Sequence, residues 1–192
     1  NVPWIDTVVT NIDGLSDGHY DTTSKSVGLG DGVLNAEDTS TWRYNTAVGY
    51  NALLLNTTGN LNTAVGKDSL RDTTTGKENT AVGGYSLTNN TTGSYNTSVG
   101  DRSLVFNTIG DYNTAVGDYS LHSNTTGDQN VASGRWALKN NTTGNNNTAS
   151  GHSTMMSNTT GGYNTASGAA ALSFNTTGFY NTASGQNALY SN

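Results

Sequence analysis

Three histidines, His19, His122 and His152, are the first residues to test for chemistry. A histidine acts as a general base only when it lies within reach of a nucleophile and a third group orients its ring. His122 and His152 fall at variable positions of the sequence. The 14 Asp and Glu residues of the 192-residue chain never recur at a fixed distance from a histidine. The expectation is a chain that is not an enzyme, with no catalytic residue and no cofactor. Cysteine is absent, which excludes disulfides and thiolate metal sites. Asn11, Asp13, Asp17 and Asp21 bunch together, but their spacing fits neither an EF-hand loop nor the nonapeptide of calcium β-rolls. They read as solvated turn residues, and no metal site is expected.

What does recur is amide, hydroxyl and aromatic chemistry, on a fixed period. The segment NTAVGYNALLLNTTGNL (45–61) repeats from Asn45, Asn62, Asn79, Asn96, Asn113, Asn130, Asn147, Asn164 and Asn181, with no insertion or deletion. With Asn45 as position 1, the 17-residue consensus is N-T-A-(V/S)-G-x-x-(A/S)-L-x-x-N-T-T-G-x-x. Short, constant self-similarity is the signature of a solenoid. The predicted fold is all-β, a parallel β-solenoid (β-roll) of 17-residue coils. Residues 1–25 form a non-repeat segment, either a cap or an attachment arm. Residues 26–44 form a degenerate first coil, two residues too long. Residues 45–192 hold eight full repeats and a partial ninth. Within 1–25, Ile5–Ile12 is rich in β-formers and reads as one strand.

The columns of the repeat divide into two groups. Leucine at position 9 (Leu53, Leu70, Leu87, Leu104, Leu121, Leu138 and Leu172, with Met155 the exception) is expected to be the core. Glycine at positions 5 and 15 (Gly49, Gly59, Gly66, Gly76 and onward) marks corners that need positive φ or have no room for a Cβ. Those corners are expected to divide each coil into two short extended segments. Asparagine at position 1 suits amide ladders along the axis.

Position 4 behaves differently. It runs Val48, Val65, Val82, Val99, Val116 and then turns to serine at Ser133, Ser150, Ser167 and Ser184. Four successive hydroxyls in a dry, thin core would each cost about 1–3 kcal/mol without partners. The column is therefore expected to face outside the coil's own core, as a contact between chains. Positions 6, 7, 10, 11, 16 and 17 vary freely. They place Tyr85, Tyr119 and Trp136 in one column and Tyr95, Tyr112, Tyr163 and Tyr180 in another. Such rings either stack on one another at the corners or form a surface for a glycan or protein.

Regular hydroxyl rows also raise ice binding. Adjacent threonines of the N-T-T triplet point to opposite sides of a strand, and Val131 and Ile109 interrupt two threonine columns. The same triplets, such as Asn56-Thr57-Thr58 and Asn141-Thr142-Thr143, match the N-glycosylation pattern because the repeat demands them.

The alternation of NTAVG and NTTG around a constant aliphatic residue resembles the head repeats of trimeric autotransporter adhesins (the YadA-head or Hep/Hag type), and equally some phage tail-fibre repeats. The resemblance covers residues 26–192, although the adhesin repeat is usually shorter. It implies a left-handed β-roll, three chains side by side and an extracellular location on a cell surface, secreted filament or virion fibre. No heptad stalk, neck motif or membrane anchor is present in these residues, so such an adhesin would be here only in part. The net charge of −6 and the lack of a basic stripe argue against nucleic acid. No apolar run is long enough for membrane insertion. The functional expectation is a structural or adhesive fibre protein, homo-oligomeric as a trimer or filament, with a cell-surface receptor or glycan as its target. A head-to-tail filament, with the N-terminal segment docking on its neighbour, is the first alternative. An ice- or glycan-binding solenoid is the second.

Overall fold

The computed structural model describes residues 18–20, 23–38 and 40–191. The strand expected over Ile5–Ile12 and the cluster Asn11, Asp13, Asp17 and Asp21 lie outside them. The described chain is a parallel β-solenoid of 17-residue coils. One sheet runs its whole length in sequential strand order: β1 (Gly18–Tyr20), β2 (Val27–Leu29), β3 (Thr46–Val48), β4 (Thr63–Val65), β5 (Thr80–Val82), β6 (Thr97–Val99), β7 (Thr114–Val116), β8 (Val131–Ser133), β9 (Thr148–Ser150), β10 (Thr165–Ser167) and β11 (Thr182–Ser184). From β2 onward all pairing is parallel and in register, Thr46 facing Thr63 and Val48 facing Val65. At the N-terminal edge, β1 lies antiparallel on β2.

Each strand is three residues long because the repeat supplies only three with strand character, a small inward residue between two outward ones. Ala47, Ala64, Ala81, Ala115 and Ala132 are fully buried. Behind them run the position 9 leucines from Leu53 to Leu172 and Met155, all without exposed surface, while Leu189 of the last, partial coil is half exposed. Each leucine contributes about 1.5–3 kcal/mol by leaving water. Where Ser98 replaces the usual alanine, its hydroxyl is absorbed by buried serines of position 8: Ser86 Oγ donates to it at 2.8 Å, and Ser103 Oγ is its other partner.

Between the two glycine corners the structure differs from expectation. The segment from position 6 to position 11 is a run of turns and not a second extended segment. The reason is backbone handedness. Positions 7, 9 and 17 adopt left-handed φ in coil after coil, for example Tyr85 (58°), Leu87 (52°) and Tyr95 (60°). An L-residue there costs roughly 1–2 kcal/mol, and hydrogen bonds between coils offset it. The Asp68 N–H donates back to Tyr50 O at 2.8 Å, and the Leu53 N–H donates forward to Ser69 O at 3.1 Å.

The two glycine corners have different causes. Position 5 needs φ near 130°, and a Cβ there would also strike the next coil's backbone; at Gly117 it would lie 2.7 Å from Gly134. Position 15 has ordinary φ but no space. A Cβ on Gly127 would lie 2.4 Å from Gly144 O and 2.5 Å from Asn124 Oδ1.

That crowding belongs to the asparagine scaffold. At position 1 each side-chain Oδ1 accepts the next coil's backbone N–H (Asn62 to Asn45, 2.9 Å; Asn79 to Asn62, 3.0 Å). At position 12 each Nδ2 donates to the preceding Oδ1 (Asn107 to Asn90, Asn124 to Asn107 and Asn141 to Asn124, each 2.8 Å). Both asparagines of a coil also donate to one carbonyl, that of the position 15 glycine. Gly93 O takes Asn79 Nδ2 at 2.9 Å and Asn90 Nδ2 at 2.8 Å. In the first coil Glu37 stands at position 12 and heads both ladders, its Oε1 accepting from Asn45 Nδ2 and Asn56 Nδ2. The two extra residues of that coil fall between Asp38 and Arg43, where the Asp38 carboxylate gathers the Ser40 N–H and hydroxyl and the Arg43 guanidinium.

The position 12 ladder has one gap. Thr73 is too short to reach, so Asn56 Oδ1 and Thr73 Oγ1 are buried without partners. Replacing Thr73 with Asn restores the rungs to Asn56 and Asn90. We expect Thr73→Asn to stabilise the protein by about 1–3 kcal/mol. A chemical denaturation midpoint unchanged or lowered by this substitution contradicts the ladder account.

Candidate functional site

The solenoid sorts its side chains into columns, so a site here is a stripe along the rod. Three stripes follow from the structure. The first is the outer face of the sheet. Along each strand, residues 2 and 4 point out and residue 3 points in. The column Val48, Val65, Val82, Val99 and Val116 therefore lies outside the coil's own core, with Val116 42% exposed, and the serines from Ser133 onward are exposed too. Beside it runs the threonine column from Thr46 to Thr182, interrupted by Val131. From β3 to β11 every outward residue is Thr, Val or Ser, so this face carries no charge.

The hydroxyls of the threonine columns differ in a way the sequence does not display. At position 13 they are consumed: Thr57 Oγ1 donates to Thr74 O at 2.9 Å, Thr91 Oγ1 to Thr108 O at 2.9 Å and Thr125 Oγ1 to Thr142 O at 3.0 Å. The sheet-face threonines and serines have no partner within the chain. The relevant pattern is T-x-(V/S) on the strand, which the adjacent threonines of N-T-T obscure.

The second stripe is position 7 with its neighbours. Tyr85 and Tyr119 sandwich Arg102, whose guanidinium lies 5.5 Å from each ring centroid. Arg102 Nη1 donates to Tyr119 Oη at 2.7 Å, and this hydrogen bond raises the guanidinium's pKa. Trp136 is covered by Arg135 at 3.9 Å, and Lys139 lies over both Trp136 and Tyr119. Lys67 sits over Tyr85, and its interaction with that hydroxyl raises the ammonium's pKa. Carboxylates balance these cations: Asp101 beside Arg102 and Asp118 beside Arg135.

The third stripe is position 17. Tyr95 and Tyr112 stack at 4.8 Å with planes 2° apart, and Tyr163 stacks with Tyr180 at 5.2 Å. The seven aromatic residues singled out in the sequence lie in two separate columns, one at position 7 and one at position 17. In both columns ring faces are turned to each other or to cations along the rod. Stacks of this kind contribute about 0.5–1.5 kcal/mol each.

Neither described histidine side chain is hydrogen-bonded to a carboxylate. His122 Nδ1 meets Arg102 O at 3.0 Å and its ring packs on Phe106 and Tyr119. His152 Nδ1 meets Ser153 Oγ at 3.1 Å. No group of three or more His, Asp or Glu among the described residues is arranged to hold a metal ion. The N-T-T asparagines matching the glycosylation pattern are closed by the fold: Asn141 is fully buried and its amide nitrogen serves Asn124 and Gly144. No helix among the described residues is long and apolar enough to cross a membrane.

Comparison with protein-family models, with curated proteins and with solved structures yields no match to this chain. What stands is the class of fold: a parallel β-solenoid of about nine turns, in keeping with the general β-roll class that the resemblance implies.

Burial pushes the His122 imidazole below its ordinary value of 6.5, and the nearby Lys139 and Arg102 charges act in the same direction, against the hydrogen bond to Arg102 O. The unfolded chain then takes up a proton that the folded chain refuses. This contribution to stability is complete above pH 6.5 and is lost as the pH falls below it toward the folded pKa. Denaturation midpoints of the wild type and His122→Phe, compared at about pH 7.5 and about pH 5, should show a smaller acid loss in the variant. Equal losses contradict the assignment.

Proposed function

We propose that this chain is the rod of an extracellular fibre, working by reach and by presenting a repeated lateral surface for attachment. The observation that carries the reading is the unbroken register. Every parallel strand from β2 to β11 pairs with the next, and amide ladders tie each coil to its neighbours on the inside. Such a structure has no hinge in its repeat region, and it extends in one dimension as coils are added. The side chains left over are set out in stripes, which suits contact along a surface better than enclosure of a small molecule.

A second reading concerns what lies against the rod. Side-by-side association of chains, as a trimer or within a filament, is the assembly that the adhesin resemblance favours. Attachment to a cell-surface receptor or glycan is the role that the adhesin resemblance favours.

Small-angle scattering combined with sedimentation tests the reading. Coils about 4.8 Å apart predict a rod some 45–50 Å long, with a cross-section that grows in whole-chain steps if chains associate laterally. A scattering profile of a compact sphere, or of a flexible chain, contradicts it.

A further inference from the structure

From the sheet face we infer that the surface this rod attaches to is ice, bound by the T-x-(V/S) array of β3 to β11; the inference rests on the reading of the chain as an attachment rod. Three observations carry it. First, the face is a two-dimensional lattice. Equivalent positions face each other from strand to strand, identical except around β8, so outward groups repeat about every 4.8 Å along the rod and about every 6.7 Å across it. A regular grid of this kind offers a crystal surface anchoring points at two fixed repeats. Inward side-chain ladders of the kind found at positions 1 and 12 are what keep many-stranded sheets flat.

Second, the chemistry matches an uncharged hydrogen-bonded solid. The face offers methyl groups, from threonine and valine, and hydroxyls from threonine and serine. None of those hydroxyls is engaged within the chain, whereas the threonines of position 13 are. Methyl rows restrict the orientation of the first water layer, and hydroxyls at a fixed spacing anchor it. Third, a second copy of the chain is a poorer occupant of this face. The strip measures roughly 40 Å by 10 Å, about half of the ~800 Å² per partner that stable interfaces bury. A dry contact would also strand its hydroxyls.

The test uses the whole chain with single crystals and polycrystalline hemispheres of ice as probes. Thr97 and Val99 sit side by side at the middle of the face on β6, and their side chains leave the core untouched. Thr126, exposed on another face, serves as the control position. The wild type and Thr126→Lys are expected to be drawn into growing ice and to separate the freezing from the melting point. Thr97→Lys and Val99→Lys should each reduce both effects at least tenfold while keeping the wild-type circular dichroism and melting temperature. Exclusion of the folded wild type from ice overturns the proposal, as does undiminished activity in both face variants. So does a wild-type oligomer that Val99→Lys dissociates, which would make the face a contact between chains. These results leave the rod reading intact, because the scattering length tests that separately.

Discussion

The structure depends on one arrangement, broken only in the coil of Thr73 among the eight full repeats: two asparagines of a coil converging on one glycine carbonyl while also reaching the neighbouring coil. Gly93 O, held by Asn79 and Asn90, is typical. The clamp closes the coil on itself, and the ladders set the distance to the next one. Because the amides are buried, an unmet one costs more than a met one gains. A coil that is one residue long or short cannot keep both ladders paired. This explains the constant period of 17 and why the two extra residues of the first coil are placed between Asp38 and Arg43, beyond position 12.

With the coils fixed in register, everything else follows as columns. The core is a column of leucines, the corners are columns of glycine, and the outer surface is a set of stripes. Information that varies can enter only as changes along a column. Thr73 is such a change and leaves two buried atoms without partners. The turn from valine to serine between β7 and β8 is another, made where it costs the core nothing. Left-handed backbone at positions 7, 9 and 17 is the cost of turning a coil within so few residues, and it recurs because the coil geometry recurs.

Much of this was legible in the sequence. The period, the invariance of Gly49 and Asn45 and the near-constancy of Leu53 with their equivalents named the solenoid and its core. The valine-to-serine change correctly placed position 4 outside. Two things were hidden. The stretch after each position 5 glycine reads as extended because two glycine corners bracket it, but sequence carries no mark of left-handed φ at residues as varied as Arg102, Trp136 and Leu138. The distinction between used and unused hydroxyls was also out of reach. Thr57 and Thr46 are the same residue in nearly equally constant columns, the second broken only by Val131, and hydrogen-bond geometry is what separates them. The sheet-face pattern was available in T-A-V and T-A-S, but the doubled threonine of N-T-T drew attention to the wrong column. The two aromatic columns were legible from the repeat, but that one is filled by cations between its rings and the other by ring stacks needed the coil's path.

Side-chain amide exchange measured by NMR tests the central clamp most directly. If the ladders hold the rod together, the carboxamide protons of asparagines at position 1 and of Asn107, Asn124, Asn141 and Asn158 exchange slowly. Those of the surface residues Asn140 and Asn145 exchange at the rate of free amides. A single fast population embracing all asparagines would contradict the account.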